Sequence, residues 1–91
     1  MAMVIITAEV QDAVQWETRF RMHGDLFRSY SLRAPVHFAT AGKEVAVCFE
    51  PENVDEFRQV IESQASADAM AFDGVKPDTV QIFVLDKEIK V

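Results

Sequence analysis

Cysteine is nearly absent from this chain. Cys48 is the single thiol, so no internal disulfide can form and the fold must rest on its core. A lone thiol of this kind fits a reducing, cytoplasmic setting. Glycine is also scarce: Gly24, Gly42 and Gly74 are too scattered to build a phosphate-cradling loop. No apolar run reaches the roughly 18 residues that span a bilayer. The opening Met1-Ala2-Met3-Val4-Ile5-Ile6 has no basic start, so it does not read as a signal peptide. Positive charge is thin, with 9 Lys and Arg against 15 Asp and Glu and a net charge of −6. Without a basic cluster the chain repels phosphate, which excludes nucleic acid and anionic membrane surfaces as partners. Two histidines, one cysteine and scattered carboxylates give no ligand spacing typical of zinc or of a facial iron triad, so no metal site is expected.

What the chain does have is apolar content: 49% of 91 residues. That length closes one core, so residues 1–91 read as a single domain, and the surplus apolar surface points to self-association. Met3–Val10 alternates as a strand. Asp12 is placed to cap a helix running from Ala13 to Phe27. Its large side chains, Trp16, Phe20, His23 and Phe27, repeat at offsets that align on one helical face. Gly24 either ends that helix or lets it fray to about Arg28. Ser29–Ala34 is a connector. A strand starts at or just after Pro35, turns at Gly42-Lys43 and returns as Glu44–Glu50, a hairpin. Asn53 caps a second amphipathic helix that reaches Gln64, and Ser66 is expected to cap a short third one ending before Gly74. Thr79–Asp86 is the last strand, and Lys87–Val91 either extends it or reaches a partner.

Strand, helix, strand, strand, helix, strand is the α+β, ferredoxin-like βαββαβ order: a four-stranded antiparallel sheet with two main helices on one face. The strands, however, are apolar on both faces. Ile5, Ala46, Cys48, Phe83 and Leu85 fall on one side, and Val4, Ile6, Val45, Val47, Phe49, Ile82 and Val84 on the other. Two helices cover one face only, so the open face is expected to pack sheet-to-sheet against a second copy, giving a homodimeric α/β barrel.

The Trp16…Phe20…His23 pattern, the Asn53–Gln64 helix, the Ala69–Val75 segment and the Val80–Leu85 strand together resemble the dimeric α/β barrel superfamily, which includes the antibiotic-biosynthesis-type monooxygenases. The resemblance implies a homodimer with a pocket in each protomer between helices and sheet. It implies a cofactor-independent monooxygenase, isomerase or cyclase acting on a hydrophobic or aromatic molecule. Some members have no known activity, so a non-catalytic ligand-binding or dimerisation module is the alternative. No cofactor is expected. Haem would need an axial ligand, for which His23 is the candidate, and no motif of the haem-degrading members maps onto this chain.

His23 is the candidate acid/base, an imidazole set in an aromatic stripe. Trp16, Phe20 and Phe27 are the expected walls of a pocket of a few hundred Å3. Tyr30 could place its hydroxyl over the mouth, with Arg28 or Arg33 supplying a cation for an anionic ligand. His37 either converges on His23 or faces the partner sheet, and the alternation leaves both open. Met70 and Phe72 pack helix against sheet or line the pocket. Cys48, mid-strand, reads as a small hydrophobe.

Overall fold

The computed structural model describes residues 3–91; Met1 and Ala2, the start of the stretch that lacks a leader pattern, lie outside them. The strands are β1 (Met3–Glu9), β2 (His37–Ala41), β3 (Glu44–Phe49) and β4 (Gln81–Leu85). The helices are α1 (Ala13–Phe20), α2 (Gly24–Arg28), α3 (Val54–Ile61) and α4 (Gln64–Phe72), and a 3-10 turn, Pro77–Thr79, precedes β4. The sheet runs β2-β3-β1-β4, with every neighbouring pair antiparallel. This is the ferredoxin-like arrangement. Among the described residues no helix is long and apolar enough to cross a membrane.

One core holds the layers together. Val4, Ile6, Ala8, Val45, Val47 and Phe49 project from the sheet onto Trp16, Phe20, Tyr30, Phe57 and Ile61. Phe57 is fully enclosed, which fixes α3 across the sheet. The helix starts follow side-chain capping: Asp12 accepts from the Gln15 amide at 2.9 Å and Asn53 from the Glu56 amide at 3.0 Å.

Three boundaries differ from the sequence expectation. The helix expected over Ala13–Phe27 is broken. The amides of Met22 and His23 bond three residues back, to Arg19 and Phe20, which tightens and ends α1. His23 leaves helical geometry at φ −92°, ψ 29°, and α2 restarts at Gly24. Ser63, not Ser66, caps the third helical stretch, accepting from the Ser66 amide. α4 therefore begins three residues earlier and turns Ser66 inward, where it is 1% exposed. β4 begins at Gln81 because Thr79 is used in the 3-10 turn, where its hydroxyl donates to the Lys76 carbonyl and accepts from the Glu9 amide.

The second face of the sheet carries Met3, Ile5 and Thr7 of β1, Ala46 and Cys48 of β3, and Phe83 and Leu85 of β4, with no element of this chain over it among the described residues. Phe83 sits directly across from Ile5, and Leu85 from Met3.

Candidate functional site

An apolar cavity of about 60 Å3 lies between α1, α2, α4 and the inner face of the sheet. Six of the expected site residues meet on its walls: Trp16, Phe20, His23, Phe27, Tyr30 and Met70. Trp16 stacks on Phe20 at 4.6 Å, Phe27 tilts against Phe20 at 4.9 Å, and Phe38 of β2 closes edge-on against both Trp16 and Phe20. Aromatic pairs at these separations add to the stabilisation from burial of the rings themselves. Phe72 is not brought into the cavity. It is half exposed outside it, edge-on to His23 at 6.1 Å and covered by the Arg19 guanidinium. His37 lies on the open face of the sheet, in register with Cys48, and the sheet separates it from His23.

The helix break decides the chemistry of this site. Because the chain turns at residues 21–23, the His23 ring reaches across to the end of α4, where Nε2 stands 2.8 Å from Asp73 Oδ1. Asp73 is 6% exposed. Burial pushes its carboxyl above the ordinary aspartate value, while the hydrogen bond from His23, the charge of His23 and the nearby Arg19 pull it back. A carboxylate only accepts, so the His23 Nε2–H donates to it and Nδ1 is the nitrogen left for a guest molecule. In the neutral ring that nitrogen is a base.

A second polar pair joins Tyr30, just past the end of α2, to Ser66 of α4. Tyr30 Oη is 2.9 Å from Ser66 Oγ, and Ser66 Oγ donates to the Val60 carbonyl at 2.7 Å. Serine has one hydroxyl proton and spends it on the carbonyl, so Tyr30 must donate to Ser66. Burial raises the Tyr30 phenol above its ordinary value, so it stays neutral. Neither of the cations expected beside Tyr30 lines the cavity: Arg28 pairs with Asp25 on the exposed side of α2, and Arg33 is not among the lining residues. The cavity wall therefore offers a base and apolar surface rather than an anion site.

The titration of Asp73 gives a measurable consequence. A carboxyl whose folded value lies above the unfolded one adds stability that is fully present below the unfolded value, near pH 3.8, and lost as pH rises through the folded value. The stability advantage of wild type over Asp73→Asn, read from urea midpoints, is expected to shrink between pH 4 and pH 7. An advantage that grows over that range would mean that the pairing with His23 and Arg19 outweighs burial.

Asp73 and Ser66 were not singled out by sequence reasoning. Ser66 reads from the sequence as a helix cap only. Asp73 carried a usable signal: an acidic residue at a helix C-terminus opposes the helix dipole and needs a compensating partner. Among the described residues no group of three His, Cys, Asp or Glu side chains is arranged to hold a metal ion. A haem is disfavoured here, because Nε2 of His23, the nitrogen an axial ligand would use, is engaged by Asp73.

No protein-family model matches the sequence, and no curated protein sequence matches it. Solved structures do match. A protein from Bordetella bronchiseptica described as an antibiotic biosynthesis monooxygenase superposes with a TM-score of 0.73 at 14% identity, over 97% of this chain and 97% of that one. SnoaB, a cofactor-independent oxygenase from Streptomyces nogalater, superposes at 0.70 and 10% identity, over 99% of this chain and 95% of that one. A dimeric ferredoxin-like protein from an uncultured marine organism gives 0.57 at 9% identity, over 99% and 92%. The chain has the ferredoxin-like fold of the antibiotic biosynthesis monooxygenase-like proteins. At these identities the likeness concerns the fold, and the site must be argued from its own residues.

Proposed function

We propose that the protein is a homodimer that binds a neutral, largely apolar small molecule beneath α2, and that His23, oriented by Asp73, exchanges a proton with it. The carrying observation is the His23–Asp73 pair at the wall of an otherwise apolar cavity. A buried carboxylate that fixes one ring nitrogen and leaves the other as a base is the arrangement that proton abstraction needs. Removing a proton from a phenol, an enol or an activated C–H gives an anion that can react with oxygen, isomerise or cyclise. The first of these fits the cofactor-independent oxygenase among the structures of this fold.

The cavity is about 60 Å3, below the ~150 Å3 that accommodates a benzene ring. That size favours a second reading, a non-catalytic dimerisation module built on the open sheet face. Thermal denaturation with 1-naphthol, 1,4-naphthoquinone, a short lactone and haemin separates the two. A ligand at 100 times its Kd adds ~2.7 kcal/mol, several degrees for a domain of this length. A class that stabilises wild type but not His23→Phe supports binding at this site. A cooperative melt that no compound shifts selects the module.

A further inference from the structure

Residues 22–29 sit over the cavity with few polar ties to the rest of the fold. Among the described residues their backbone hydrogen bonds are local: Met22 to Arg19, His23 to Phe20, Phe27 to His23 and Ser29 to Asp25. Arg28 pairs with Asp25, and the Ser29 hydroxyl donates to the Leu26 carbonyl, so these side chains also stay within the segment. The first backbone bonds to another part of the fold come after it, where the Glu52 amide donates to the Ser31 carbonyl and the Arg33 amide to the Glu50 carbonyl. Ser31 itself stands at φ 54°, in the left-handed region, and turns the chain onto the Leu32–Pro51 bridge.

The two ends of the segment are held very differently. At the far end Tyr30 is 4% exposed, edge-on to Phe49 at 5.7 Å and to Phe57 at 5.3 Å, with its hydroxyl on Ser66. Drawing that ring out would open the core. At the near end Met22 is 68% exposed, and His23 is held by a single hydrogen bond to Asp73 with edge contacts to Phe27 and Phe72. Between the ends Leu26 and Phe27, both partly buried, press down onto the cavity, and the Phe27 ring rests on Phe20 at 4.9 Å and edge-on to Phe49 at 6.3 Å, apolar contacts that slide without leaving a polar group unpaired.

We propose that residues 22–29 are a lid that pivots at Tyr30 and is latched by the His23–Asp73 hydrogen bond, and that a molecule reaches the cavity by the release of this latch. The proposal rests on the ligand-binding reading above and explains how a cavity of about 60 Å3 admits anything larger. It also ties binding to chemistry. The latch is the proton-transfer pair itself, so the base acquires its orienting carboxylate only when the lid closes over the guest. The charged groups facing the latch are few: His23 on the lid, Asp73 on α4 and Arg19 on α1, whose Nη1 donates to the Phe72 carbonyl at 2.7 Å.

Trp16, the only tryptophan, is 2% exposed and lines the cavity beneath the lid, so its fluorescence reports opening without any ligand. Asp73→Leu and His23→Phe release the latch from opposite sides, the first by removing the acceptor at nearly the same side-chain size, the second by removing the donor while keeping the ring contacts. Each is expected to raise the acrylamide quenching constant of Trp16 ~5- to 10-fold, the population change expected from losing one hydrogen bond. Near-ultraviolet circular dichroism and the cooperativity of urea unfolding should stay as in wild type. Trp16 as shielded in both variants as in wild type would overturn the lid. So would a rise accompanied by loss of cooperative unfolding, because the whole core would then have loosened. The outcome is independent of ligand chemistry: failure of 1-naphthol to bind would remove the proposed function and leave the lid, whereas unchanged quenching removes the lid even if 1-naphthol binds.

Discussion

A lysine in place of Phe83 is expected to hold the chain monomeric. Phe83 is 48% exposed on the open face of the sheet, beside Leu85 and across from Ile5 and Met3, in a strip that no residue of this chain covers among those described. An apolar sheet face of this kind is rarely left in water. In the proposed homodimer a second copy of the chain is its cover. If two sheets meet face to face, a lysine at their centre must either bury its ammonium or keep the sheets apart. Burial of an unpaired charge costs several kcal/mol, so a ~10³-fold weaker association follows from about 4 kcal/mol. Sedimentation equilibrium at micromolar concentration reads this directly: wild type at twice the monomer mass, Phe83→Lys at the monomer mass. The inner core faces the other way, so Phe83→Lys should still melt cooperatively if the monomer folds alone. A wild-type protein that sediments as a monomer would show that the open face tolerates water and would remove the homodimer.

The second large effect concerns His23. For any compound found to turn over, His23→Phe is expected to lower kcat by ~10²- to 10⁴-fold, the usual contribution of a positioned acid or base. Phenylalanine preserves the edge contacts to Phe27 and Phe72, so the aromatic wall survives while the proton carrier is lost. The same substitution strands Asp73, a buried carboxylate left without its hydrogen-bond donor, which costs ~1–3 kcal/mol near neutral pH. That cost should fade as pH drops, because Asp73 then takes up a proton instead of needing His23. Turnover unchanged in His23→Phe, with the stability loss present, would make the pair structural and move the chemistry elsewhere.

Much of this was readable from the chain itself, and the reason is local. The period of apolar residues, the caps at Asp12 and Asn53, and the turn at Gly42-Lys43 each act over a few residues, so they set the element order and the sheet without reference to distant parts. The two-faced strands likewise announced an exposed apolar surface, because alternation along a strand is a property of the strand alone. Trp16, Phe20 and Phe27 were identifiable as an aromatic stripe for the same reason, whereas Met70 was left open between packing and lining.

The pairing of side chains was decided only by the tertiary structure. His23 and Asp73 lie fifty residues apart, and Tyr30 and Ser66 thirty-six. What joins them is the break at residues 21–23 and the early start of α4 at its Ser63 cap, small shifts that rotate particular side chains inward. Periodicity averages over such shifts, so it located the aromatic stripe but could not tell that Phe72 points out of the cavity, or that His37 belongs to the opposite face. Cavity volume is likewise a tertiary quantity: it is the residue left after whole layers pack, and no local pattern encodes whether the remainder is a few hundred Å3 or about 60 Å3.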